Sequence, residues 1–129
     1  MTTELEPRTY RVTRADLVAY AAASGDPNPI HQDEDVARAV GLPGVIAHGM
    51  YTLALAARYV DEWAGRSGRI VELGAKFTRP VVVPAGEEGA EVSVSGVLHT
   101  DEDGVETVAL TVTCDGQKVL GNPRAVLRA

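Results

Sequence analysis

The stretch from Gly49 to Val60 carries a single charged residue, Arg58, and nothing else in the chain constrains the fold as much. A helix that is apolar on nearly every face has to be buried. About a dozen apolar-rich residues are too few to cross a bilayer, so the segment from His48 to Trp63 is expected to be a helix inside a protein core. The cover for that helix must come from the remainder of the 129 residues. A chain of this size reads as one domain, residues 1–129, because two halves would each sit near the size where a hydrophobic core barely suffices.

The C-terminal half supplies the cover as strands. Ile70–Leu73 and Lys76–Thr78 lead into Arg79-Pro80-Val81-Val82-Val83-Pro84, where prolines bracket a β-branched run and suggest a bend or sheet edge. Glu91 to His99 alternates, with Val92 and Val94 on one face. Asp103-Gly104 then turns into Val105–Cys114, where Val108, Leu110 and Val112 share a face, and Asp115-Gly116 turns back into Gln117–Leu127. Two consecutive hairpins make an antiparallel meander. On the N-terminal side, Thr13 and Asp16 suit the start of a short helix running to about Ala23, ended by Gly25 in the left-handed region. Asp33-Glu34-Asp35 precedes a brief helix, Val36 to Val40, closed by Gly41. Helices first, an apolar helix in the middle and an antiparallel sheet last is the order of an α+β domain whose sheet wraps one buried helix.

Composition excludes several functions. A hydrophobic fraction of 45% with 23% charged residues describes a globule rather than a disordered tail. A net charge of −6 and a pI near 5.0 argue against nucleic acid, which requires a clustered basic surface, and disfavour anionic membranes. Residues 1–8 lack the basic-then-apolar order of a signal peptide, so a cytoplasmic location is expected. Cys114 stands alone and reads as core filler.

The chemistry concentrates between the first two helices. Asp26-Pro27-Asn28-Pro29-Ile30-His31 cannot be an α-helix; its two prolines make it a stiff, extended loop. Asp26 and His31 on such a loop suit two side chains gripping one water or hydroxyl. Dehydrating a 3-hydroxyacyl thioester requires taking a proton from the α carbon and giving one to the departing hydroxyl; hydration reverses both steps. A histidine, with an ordinary pKa of about 6.5, serves either direction near neutral pH. Negative charge on the thioester oxygen needs a donor, and the Gly49 amide, opening the buried helix, is the natural one.

Tyr20-Ala21-Ala22-Ala23-Ser24-Gly25-Asp26-Pro27-Asn28-Pro29-Ile30-His31, followed by Gly41, Ile46-Ala47-His48-Gly49-Met50 and Phe77-Thr78-Arg79-Pro80-Val81, resembles the MaoC-like family along essentially the whole chain. The resemblance implies a hotdog fold and the chemistry of (R)-specific enoyl-CoA hydratases and (3R)-hydroxyacyl thioester dehydratases. Within the family it is greatest to the catalytic beta subunits of mycobacterial-type (3R)-hydroxyacyl-ACP dehydratases, which work beside a second hotdog subunit. By position, the family's catalytic aspartate falls on Asp26, its histidine on His31 and its oxyanion amide on Gly49. His31 is assigned to the carbon proton and Asp26 to the oxygen. Asn28, Ile46, His48, Thr52, Phe77 and Arg79 are expected at the substrate. Some family members carry a serine one turn beyond the His-Gly-Met element; Tyr51, Thr52, Leu53 and Ala54 occupy that stretch here, and Thr52 offers the replacement hydroxyl. Acyl-CoA or an acyl carrier protein thioester is the implied substrate, and a second hotdog chain, identical or a sister subunit, the implied partner.

Blander readings stand beside these. Asp26 also suits a simple turn next to proline, Asn28 a bond to loop backbone, and His48 a cap or packing role at the helix start. Arg66, Arg69, Lys76 and Arg79 suit either CoA phosphates and an acidic carrier or plain solvated surface. Tyr51 and Trp63 suit core or a subunit contact, and His99 an exposed hairpin end. Three histidines without a close ligand pair give no reason to expect a metal, and no nucleotide or flavin motif is present. Two alternatives to the lyase remain: a non-catalytic hotdog partner subunit, and a hotdog thioesterase.

Overall fold

The computed structural model describes residues 1–129 as an antiparallel sheet closed around one long helix. In chain order the elements are β1 (Thr2–Val12), α1 (Arg14–Ser24), a 3-10 turn (Pro29–His31), α2 (Glu34–Ala39), α3 (Gly49–Ala64), β2 (Ile70–Phe77), β3 (Ala90–Thr100), β4 (Glu106–Cys114), β5 (Gln117–Lys118) and β6 (Leu120–Leu127). The strands run β1-β3-β4-β6-β2 across the sheet, with β5 beside β4. This is the hotdog arrangement.

The central helix, α3, buries Thr52, Leu55, Ala56, Tyr59 and Val60 against the sheet, and it touches all five long strands. Its opposite face is not covered: Met50, Ala54 and Arg58 are exposed. The low charge of this helix therefore overstates its burial within one chain. Facing α3, Val92 and Val94 of β3 and Val108, Leu110 and Val112 of β4 are buried, the alternation expected from their sequence. Gly96 leaves no room for a side chain between sheet and helix. A Cβ there would stand 2.9 Å from Val108 Cγ1 and 3.3 Å from the Tyr59 ring.

At the entry to α1 the Thr13 hydroxyl accepts from the Asp16 amide and the Asp16 carboxylate accepts from the Thr13 amide, at 3.3 and 2.9 Å. This reciprocal box ties down two amides that the helix leaves free. Gly25 ends it at φ 74°, as its position in the sequence requires.

Four local expectations are corrected. β1 is a full strand that the sequence does not announce: only Leu5, Tyr10 and Val12 turn inward, and Pro7 sits at a register shift between Leu5 and Arg8. Its pairing with β3 rests on backbone bonds rather than an apolar stripe. Ile70–Phe77 is one strand instead of two, with shifts at Ile70/Glu72 and Gly74/Lys76; opposite the second lie Asn122, at φ 47°, and Pro123, which cannot donate to a ladder. Gln117–Leu127 is not one strand but is broken at Val119 into β5 and β6, while Val81–Val83 between its prolines makes a single bridge from Val82 to Ile46. Finally, α2 begins at Glu34 because the Asp33 carboxylate accepts from the Asp35 and Val36 amides.

Candidate active site

The loop between α1 and α2 is less extended than its prolines suggest, since Pro29–His31 forms a 3-10 turn. Two side chains build it. The Asp26 carboxylate accepts from the Asn28 amide at 3.3 Å, and the Asn28 side-chain oxygen accepts from the Ile30 amide at 3.2 Å. These Asx bonds are the local chemistry that Asp and Asn beside proline favour. They hold one oxygen of Asp26 and leave the other open.

His31 is carried inward by the turn and is buried. Its Nδ1 lies 2.7 Å from the Ile46 carbonyl oxygen. An acceptor-only oxygen demands the N–H there, so Nε2 carries the lone pair. The partner carbonyl is itself fixed, because the Ile46 amide donates to the Ile30 carbonyl and Ile46 bridges to Val82.

The third contribution comes from the start of α3. Gly49 is its first residue, and its amide belongs to the turn that has no acceptor within a helix. His48 precedes it with its ring stacked on His31, centroids 3.8 Å apart and planes at 22°, and its Nε2 3.2 Å from the Asp26 carbonyl oxygen. Although His48 occupies the cap position of α3, its side chain makes no capping bond. A side chain at Gly49 would crowd the Phe77 ring: an added Cβ would stand 3.0 to 3.1 Å from it.

Asp26, His31, Ile46, His48, Gly49, Thr52, Phe77 and Arg79 all line one cavity of about 660 Å³. Asn28 does not line it; its bonds serve the loop. The cavity also takes wall from Tyr20, Met50, Val119 and Leu120, which sequence reasoning did not assign to the site. Val119 and Leu120 arrive from the end of the sheet meander and carry no local signal. Of the basic residues, Arg69 is bound to Glu106 at 2.7 Å, whereas Arg79 is exposed, lines the cavity and makes no ion pair within the chain.

Side-chain atoms of Asp26, His31 and His48 lie within 4.8 Å of one another, a spacing that one water spans with two hydrogen bonds. The same three could in principle contact a metal, but the imidazoles are stacked face to face rather than convergent. Moreover, His31 Nδ1 and His48 Nε2 are already committed to carbonyl oxygens. A tetrahedral ion needs its ligands aimed at a point about 2.0–2.2 Å away. The arrangement suits proton transfer instead. Behind it, Tyr51 meets Tyr20 edge-on, and burial raises its hydroxyl above the ordinary pKa.

Comparison with known proteins identifies the family and the fold. Residues 2–116 match the model of the MaoC like domain. The chain is 40% identical over 75 residues to 3-hydroxyacyl-thioester dehydratase X of Mycobacterium tuberculosis, covering 58% of this chain and 26% of that protein. A solved MaoC-like dehydratase superposes with a TM-score of 0.92 at 37% identity, over 98% of this chain and 39% of that one. The (R)-hydratase from A. caviae involved in PHA biosynthesis superposes with a TM-score of 0.79 at 26% identity, over 99% of this chain and 93% of that one. The chain thus spans about a quarter of the dehydratase but nearly all of the hydratase. No helix is long and apolar enough to cross a membrane. With its motif, its wrapped helix and its family match in agreement over nearly the full length, the chain belongs to the MaoC-like domain family.

Proposed function

We propose that this chain is the catalytic hotdog unit of a cofactor-free hydratase/dehydratase acting on trans-2-enoyl and (3R)-hydroxyacyl thioesters. One observation carries the reading: Asp26 and His31 of one loop and Gly49 at the start of α3 line a single cavity. In the hydration direction, water lies between Asp26 and His31. The free Nε2 of His31 first takes up a proton from solvent through the cavity; the Asp26 carboxylate then takes a proton from the water as its oxygen bonds to the β carbon, and His31 gives its Nε2 proton to the α carbon. The developing charge on the thioester oxygen is met by the Gly49 amide, where the α3 dipole adds to the hydrogen bond. Dehydration runs the same transfers backward. Asp26 is exposed, so exchange with bulk water resets it between turnovers.

Ile46, Thr52 and Phe77 are assigned to the acyl chain, and Thr52 adds a hydroxyl to the cavity wall. Arg79, an unpaired guanidinium in the cavity wall, is assigned to an anionic group of CoA or of the arm of an acyl carrier protein. The uncovered face of α3 and the free edges of β1 and β2 call for a second hotdog chain, identical or a sister subunit.

The test is product analysis with enoyl-CoA substrates of increasing chain length, alone and with a candidate second hotdog chain. The expected products are (3R)-hydroxyacyl thioesters, formed with loss of the conjugated double bond. Release of free thiol would instead assign a thioesterase. Failure to hydrate any substrate in either setting would assign a non-catalytic partner.

A further inference from the structure

His48 joins the parts of the site that the sequence supplies from separate elements. Its ring lies against His31, its Nε2 faces the Asp26 carbonyl oxygen, and its own peptide leads into the Gly49 amide. Tyr20 meets it edge-on at 4.8 Å. Because a carbonyl oxygen only accepts, Nε2 carries the hydrogen and Nδ1 a lone pair. That Nδ1 is buried and has no hydrogen-bond partner. An unpaired buried nitrogen is unfavourable, and a phenyl ring would pack against His31 and Tyr20 without it. What imidazole adds over phenyl is the Nε2–H bond to Asp26.

That bond matters because of where Asp26 sits. The backbone from Ala22 to Pro29 is exposed, and the other bonds there are short-range: the Asp26 amide to Ser24, the Asn28 amide to the Asp26 carboxylate, and Gln32 to the Pro27 carbonyl. His48, 22 residues away in sequence, is the tie between this loop and the central helix. We propose that His48 is a positioning residue that fixes Asp26 through its backbone and His31 through its ring face, holding acid and base at one separation beside the Gly49 amide. The proposal rests on the dyad reading above. It moves His48 from direct substrate binding to a role exercised through its two neighbours.

Two measurements test it. The chain has three histidines, so a long-range proton–nitrogen spectrum of the labelled protein resolves each tautomer without substrate. The Nε2–H form is expected for His48 and the Nδ1–H form for His31; an Nδ1–H His48 overturns the proposal. The second is kinetic, on the active protein or complex. His48→Phe keeps the ring stack and loses the bond, whereas His48→Gln returns an N–H near the position of Nε2. A misplaced catalytic group costs up to about 100-fold, so His48→Phe is expected to lose about 10- to 100-fold in kcat with KM within about twofold. His48→Gln, which restores the bond but not the stacked ring, is expected to recover part of that loss. Wild-type kcat in His48→Phe, or equal loss in both variants, overturns the proposal, as does a defect confined to KM. Full turnover in Asp26→Asn would strike the dyad reading itself, whereas the tautomer of His48 stands or falls independently of it.

Discussion

Gly49 lines the cavity and leaves room for the Phe77 ring, and the proposed function adds a role for its amide. Adding a methyl group forces that ring to move, since the contact would fall at 3.0 to 3.1 Å. Gly49→Ala should therefore lower hydration turnover by about 10-fold, less than the loss of a whole oxyanion donor because the amide remains. Pairing it with Phe77→Leu should restore part of the rate in the same assay; no recovery would place the defect in the amide rather than the ring. A second residue prediction concerns pH. Tyr10 donates to Glu62 at 2.5 Å, and with Arg58 and Arg8 nearby the Glu62 carboxyl is held below its ordinary pKa, the Tyr10 bond being the largest cause. A depressed folded-state pKa contributes stability above the unfolded value, about 4.3, and loses it as pH falls through the folded one. Glu62→Gln should lower the melting temperature at pH 7, and the gap from wild type should shrink on acidification. At this scale the loop and the helix start that line the cavity were legible through the resemblance of Asp26-Pro27-Asn28-Pro29-Ile30-His31 and His48-Gly49-Met50 to a family motif. The carbonyl of Ile46 that sets the His31 tautomer was not, because a backbone oxygen has no letter in the sequence.

Among the elements, those with a periodic apolar stripe or a cap were readable and those held by backbone pairing were not. α1 announces itself through Thr13, Asp16 and Gly25, and α3 through its lack of charge. β1 has neither alternation nor a turn signal, and its partner β3 lies some eighty residues on. Two changes probe the elements directly. Thr13→Ala removes half of the reciprocal cap, which should cost about 1 kcal/mol, seen as a lower denaturant midpoint with unchanged slope. Gly96→Ala drives a methyl against Val108 of the sheet and Tyr59 of the central helix. It should cost about 1–3 kcal/mol, as overpacking does; a neutral result would mean that α3 sits farther from β3 than described.

For the whole molecule, burial within one chain leaves part of its most apolar helix open, together with Met50 and Phe77 at 58% exposed each. Both line the cavity, so a partner chain would help wall the site. Light scattering should give a particle of at least two hotdog chains; a stable 13.6 kDa species that hydrates enoyl thioesters unaided would contradict this. Wrapping of helix by sheet could be read from the order of elements, whereas the uncovered face could not, since periodicity does not say which neighbour supplies the cover. The account turns on two side chains held across one cavity, and the most direct measurement is hydration of crotonyl-CoA and longer enoyl thioesters by wild type, Asp26→Asn and His31→Ala under identical conditions. Each variant should lose at least about 100-fold in turnover, the scale of removing an acid/base group, while keeping the wild-type fold by circular dichroism. Undiminished hydration in both variants would contradict the dyad.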